Sequence, residues 1–221
     1  MESVRTKDRW AITSTINVHP LDLDQSLRFA NVLLSRRTRR TCEPKDLHDV
    51  LSLIQFAMNS RQVGEGDNLG HLRKISLSAG AMHPVEVLVV AGPGVSEPIL
   101  YCDSHNAFGT VKFRSPDLAK IELQALADIV PQADGHFLLF VANQRHVSQA
   151  YKQPRSLLWR DAGALLQTFS LLATALDCAF VPLGSTGSAV LDALITPHED
   201  YVAVGTGIIG KVPAHIDASS P

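Results

Sequence analysis

"LRKISLSAGAMHPVEVLVV", residues 72–90, changes character halfway along its length. Its middle, Ser78-Ala79-Gly80-Ala81, carries almost no side-chain bulk, and from Val85 onward a β-branched apolar run reads as a strand. Small residues running into a strand let the backbone approach a flat ligand closely, with Gly80 free to adopt a positive φ. By itself such a block is more often a tight turn than a binding loop.

Further strands are expected on either side. "HFLLFVAN" (136–143) and "YVAVGTGII" (201–209) are short apolar runs, and "PILYCDSHNAFGTVKF" (98–113) has two apolar stretches around a polar turn, the pattern of a hairpin. Between them lie segments of helical period. Residues 24–35 space Leu27, Ala30 and Leu34 on one face, with Asp22 or Asp24 as candidate N-cap. Residues 44–59 place Leu47, Leu51, Ile54 and Met58 together, and residues 115–130 form an amphipathic helix capped by Ser115. "GSAVLDALI" is a short helix. The order of elements predicts an α+β fold, a small, mostly antiparallel sheet flanked by helices. One domain over residues 24–213 is expected, between an N-terminal segment (1–23) and a short tail (214–221).

The most apolar segment, Ala162 to Leu183, is interrupted by Gln167, Thr168, Ser170, Thr174 and Asp177 and ends at Pro182. It reads as a buried helix beginning near Arg160 and running into a strand, not as a membrane span. Its apolar residues go most of the way round the wheel, so it must be covered on nearly every face. A second copy of the chain is the simplest cover, which predicts a homodimer. Gln167, polar within that helix, needs a partner in a ligand or in the protein.

Bulk properties narrow the function. The 221 residues carry 20 Lys and Arg against 22 Asp and Glu, and 45% of residues are hydrophobic. Nothing in that balance draws the chain toward nucleic acid or a membrane. Three cysteines, Cys42, Cys102 and Cys178, stand far apart with no C-x-x-C, so neither a disulfide framework nor a metal site is expected. The N-terminus shows no apolar signal core, and a cytoplasmic location follows.

Against that neutral background, "LLSRRTRRTCEP" (33–44) packs four arginines around Thr38. Guanidinium forks with a hydroxyl beside them suit a terminal phosphate. A solvated basic corner or a nucleic-acid patch remain the alternatives, though no interleaved aromatics extend the patch. Tyr151 and Lys152 lie shortly before the long helix.

Taken in order, these segments resemble the nitroreductase superfamily of flavin enzymes, and most of all its SagB-type azoline dehydrogenases. Arg36, Thr38 and Arg40 match an R-x-[ST]-x-[RK] signature, "RKISLSAGAMHPVE" matches the branch's serine–alanine–glycine block, "LYCDSHNAF" its hairpin, "DAGALLQ" an A-G-x-x-x-Q helix, and "VPLGSTGSAVLDAL" a P-x-G piece. The resemblance implies an interwoven homodimer with FMN at the subunit interface. Arg36, Thr38, Arg40 and Lys211 would hold its phosphate. Ser78, Ala79, Gly80 and Ala81 would lie along the flavin, Gln167 would approach it from the helix, and Leu183, Gly184 and Ser185 would reach toward N5. The implied reaction oxidises a thiazoline or oxazoline in a peptide, one group taking a carbon-bound proton while a hydride passes to N5. The branch's lysine–tyrosine pair corresponds here to Tyr151 and Lys152, in reversed order, and a cyclodehydratase would be a partner. A generic NAD(P)H-dependent nitro or quinone reductase, and a flavin-free scaffold in a biosynthetic complex, are the competing expectations.

Overall fold

Strand β4 (Val85–Ala91) sends alternate residues to opposite faces, and both faces are buried: Val87 and Val89 enter one core, Leu88 and Val90 another. β7 (His136–Asn143) does the same with Leu138 and Phe140 against Leu139 and Val141. That two-sided burial is why these strands read as continuous apolar runs in an antiparallel sheet. A computed structural model describes residues 10–24, 26–62, 72–194 and 200–214.

Around these two strands the chain lays down, in order, β1 (Ser14–Ile16), α1 (Phe29–Ser35), α2 (Leu47–Met58), the short pair β2 (Arg61–Gln62) and β3 (Leu72–Arg73), then β4, β5 (Ile99–Cys102), β6 (Ala107–Thr110), α3 (Pro116–Ile129), β7, α4 (Gln144–Ser148), α5 (Pro154–Ala175), β8 (Cys178–Pro182), α6 (Ser188–Leu194) and β9 (Tyr201–Lys211). The main sheet has seven strands in the order β1-β6-β5-β4-β7-β9-β8, with every pairing antiparallel. This is the expected α+β architecture.

Helices α2 and α5 cover one face of the sheet, and α3 and α6 the other. Phe169 of α5 is fully buried and packs edge-on to Phe140 of β7, with ring centroids 5.3 Å apart. α2 starts where the Asp46 carboxylate accepts the His48 N–H at 2.8 Å, satisfying one of the free donors of the first turn.

Two expected boundaries are corrected. α1 begins at Phe29, after the N-cap Arg28, because Asp24 spends its carboxylate on the Ser26 N–H in a turn of its own. α5 begins at Pro154, not near Arg160; a proline in the first turn loses no hydrogen bond there. Nor is α5 enclosed all round within one chain. Leu158, Ala162, Leu165, Phe169 and Leu172 are buried, while Trp159, Gly163 and Gln167 lie on an exposed stripe. No helix among the described residues is long and apolar enough to cross a membrane.

Candidate functional site

The small-residue block forms a turn of unusual backbone. Ser78 is extended (φ −148°), then Ala79–Ala81 make one 3-10 turn, and Gly80, Ala81 and His83 all sit in the left-handed region, at φ 58°, 54° and 47°. Glycine takes that conformation freely; for alanine and histidine it costs about 1 kcal/mol or more each. Asp161 of α5 anchors the turn. Its carboxylate accepts the Ser78 hydroxyl at 2.6 Å and the Ala79 N–H at 3.2 Å, and Ser78 Oγ in turn accepts the His83 N–H at 2.9 Å.

Two more residues close on this turn. The Tyr151 hydroxyl rests against Gly80, 2.6 Å from the point a Cβ would occupy. Lys74 lies beneath, its side chain 3% exposed, paired at 2.9 Å with Asp103 in the β5–β6 turn. A cavity of about 10 Å³ lies between Lys74, Ser76, Ser78, His83 and Asp161. It has room for one water, so a ring-sized ligand must meet the turn from outside. Lys152, next to Tyr151, is exposed.

The arginine segment is built separately. Leaving α1, residues 36–41 run without regular structure, with a bend at Arg40, to a short bridge at which Cys42 meets Ala133 and Glu43 meets Lys211. Glu43 and Lys211 exchange backbone hydrogen bonds of 2.9 and 2.8 Å, which ties the segment to the end of β9. Arg37, Thr38, Arg40 and Lys211 are exposed, and Arg36 and Arg39 half-buried. Among the described residues none of these cations is matched with a carboxylate. Free guanidinium and ammonium groups on two stitched segments have the donor chemistry a phosphate needs.

Leu183, Gly184 and Ser185 follow β8 and are held onto β9. The Leu183 N–H donates to the Thr206 carbonyl at 2.9 Å, and the Thr206 hydroxyl donates to the Ser185 carbonyl at 2.8 Å. A Cβ built on Gly184, or on Gly163 of α5, meets nothing within 4 Å, so both glycines face open space. Gln167 is exposed within one chain, on the same stripe as Gly163.

Within one chain these residues fall into two groups. The turn 78–83 leads into Val85, which pairs with Ala142, at the end of the sheet where β9 begins. Lys211 and the arginine segment lie at the other end, where β8 starts at Cys178. About 20 Å of helix separates Asp161 from the end of α5 at Ala175. A groove of about 430 Å³, lined by Phe113, Lys120, Leu123 and Phe137, lies against α3 on the opposite face of the sheet from α5.

Asp161 and Lys74 were not among the expected site residues. Their signal was faint: an acid inside an apolar helical pattern, and a lysine in an extended run whose neighbours Ile75 and Leu77 are 50% and 80% exposed.

Comparison with solved structures identifies the architecture. A protein described as a nitroreductase from Ralstonia eutropha superimposes with a TM-score of 0.65 at 18% identity, over 91% of this chain and 90% of that one. A chain of the E. coli microcin synthetase McbBCD complex, with truncated pro-MccB17 bound, matches with a TM-score of 0.60 at 15% identity, over 96% of this chain and 79% of that one. A nitroreductase-like family protein from Bacillus cereus matches with a TM-score of 0.54 at 15% identity, over 90% and 94%. The chain therefore has the nitroreductase-like fold. No family model matches it. No curated protein matches it either.

Proposed function

We propose that the protein is an FMN-dependent oxidoreductase that works as a homodimer and dehydrogenates an azoline ring in a peptide. The observation that carries the cofactor is the stitching of Arg36–Arg40 to Lys211 by the Glu43 backbone bonds, a cluster of cations unmatched among the described residues on a nitroreductase-like fold. These residues fit the phosphate of FMN. Arg36, Arg40 and Lys211 supply charge, and Thr38 a hydroxyl. Exposed Gly80, Ala81, Gln167 and Gly184, with half-buried Ser78, Ala79, Leu183 and Ser185 beside them, would meet the flat part of the molecule. A bound FMN supplies a two-electron acceptor.

Division of the site between the two ends of the sheet favours two chains. One flavin meets both groups most simply when a second copy brings its own Ser78–Ala81 turn to the first copy's arginines. The surface such a copy would cover is apolar and open: Phe29 is 65% exposed, Leu34 87% and Trp159 44%.

For azoline oxidation the chain must remove a proton from carbon. Tyr151, held against the turn, and Lys152 beside it are the groups available for that step. A peptide substrate and partner proteins are in keeping with the similar chain in a synthetase complex that holds a precursor peptide. Exposure of Lys152 favours a second reading, an NAD(P)H-driven nitro or quinone reductase, since a base needs partial desolvation to reach a useful pKa.

The test is the absorption spectrum of the purified protein after FMN addition, followed by anaerobic mixing with an azoline peptide or with NAD(P)H. Bleaching by the azoline, lost in Lys152→Ala with FMN still bound, is the expected result. Bleaching by NAD(P)H alone establishes the reductase. A protein that retains no flavin once excess FMN has been removed by gel filtration overturns both.

A further inference from the structure

Asp161 is a carboxylate only 7% exposed, set on the inward stripe of α5 among Leu157, Leu158, Ala162 and Leu165. Among the described residues no lysine, arginine or histidine pairs with it. A buried charge with no cation must be held by hydrogen bonds, and both of its bonds come from one turn, from the Ser78 hydroxyl and the Ala79 N–H. Ser78, whose hydroxyl donates to Asp161, uses its oxygen to accept the His83 N–H. Asp161 thus pins the first residues of the turn directly and its last residue through Ser78. Between the pins lie two of the three left-handed residues, Gly80 and Ala81, and the third, His83, is itself the far pin. Conformations of that kind persist only where the surroundings hold them.

Resting on the flavin reading above, we propose that Asp161 is a positioning residue of this site: it fixes the Ser78–His83 turn, and with it the contact between Gly80 and the Tyr151 hydroxyl. The backbone that the cofactor meets is then set before the cofactor arrives, which lowers the ordering cost of binding. A carboxylate that merely filled a gap in the helix packing would have no such local effect.

The test compares Asp161→Ala, Asp161→Asn and Ser78→Ala by amide hydrogen exchange and by FMN titration. In Asp161→Ala and Ser78→Ala the Ala79, Ala81, Met82 and His83 amides are expected to exchange at least about tenfold faster, the loss of one charge-assisted hydrogen bond, while the strand amides of β7 and β9 stay within about twofold. Asp161→Asn is expected to fall between, because its amide oxygen still accepts from Ala79 while its NH2 faces Ser78 Oγ. FMN should bind about tenfold more weakly to the two truncations and less so to Asp161→Asn. Turn amides as protected as in the unaltered protein, or loosening spread evenly over the chain, overturns the proposal. So does unchanged FMN affinity in all three variants. Should the unaltered protein take up no FMN, the flavin reading alone fails, and exchange at the turn still decides whether Asp161 holds it.

Discussion

The Tyr151 hydroxyl lies 2.6 Å from where a Cβ on Gly80 would stand, so the loop before α5 closes on the turn before β4. Gly80→Ala therefore meets two obstacles. It places alanine at φ 58°, worth about 1–2 kcal/mol, and it drives a methyl into the tyrosine hydroxyl. The expected result is a lower denaturant midpoint together with displacement of Tyr151, read as faster exchange of the Tyr151 amide. In a Tyr151→Ala background the second penalty disappears and Gly80→Ala should cost only the backbone part. Equal costs in both backgrounds would show that the contact carries no energy.

Gly210 makes the corresponding prediction at the other end of the sheet. A Cβ there would lie 2.6 Å from the Glu43 carbonyl oxygen and 2.9 Å from Cys42 Sγ. That carbonyl accepts the Lys211 N–H, so the methyl pushes against the bond that joins the arginine segment to β9. Gly210→Ala should destabilise by about 1–3 kcal/mol, the usual cost of overpacking. It should also weaken FMN more than riboflavin, which has no phosphate for the segment to hold. Urea unfolding and paired titrations of the two flavins measure the effects.

How far the sequence alone reached can be judged residue by residue. β4, β7 and β9 were legible because strands buried on both faces read as near-continuous apolar runs, whichever side Val87 or Leu88 faces. β1 was not. It is an edge strand of three exposed or half-buried residues, held by β6 and by hydroxyl contacts such as Ser14 to Thr110 at 2.7 Å, and no local pattern announces it. α5 shows the limit most clearly. Among the polar residues of its sequence are Asp161 and Gln167; folding buries the first and exposes the second. Only the path of a distant turn, 83 residues from Asp161 at Ser78, decides which one matters. The arginine segment was legible as chemistry, but its link to Lys211 is a backbone pairing that leaves no side-chain trace.

Those arginines should act on the phosphate and on nothing else. Arg36→Ala and Arg40→Ala are each expected to weaken FMN by about tenfold or more, since a hydrogen bond to a charged group contributes about 1.5–3 kcal/mol. Riboflavin affinity should stay unchanged, and added salt should narrow the difference between the two flavins. Folding should be untouched, because neither guanidinium is matched with a carboxylate among the described residues. Equal losses for both flavins would place the arginines away from the phosphate.

His136 supplies a stability prediction independent of any ligand. It is fully buried on β7, with Nε2 bonded to the Pro93 carbonyl at 2.9 Å and Nδ1 without a partner among the described residues. Burial lowers its pKa below the ordinary 6.5, against the Pro93 bond and the charges of Asp46 and Asp134, which favour the protonated ring. Between the lowered folded value and 6.5 the unfolded chain therefore binds more protons than the folded one. The contribution is intact above 6.5 and is lost as pH falls from there through the folded value. His136→Gln keeps an N–H for Pro93 and does not titrate. Chemical unfolding from about pH 8 to about pH 5 should show a smaller loss of stability on acidification in this variant than in the unaltered protein. Parallel curves would mean that the ring gains a proton in the fold as easily as in the unfolded chain.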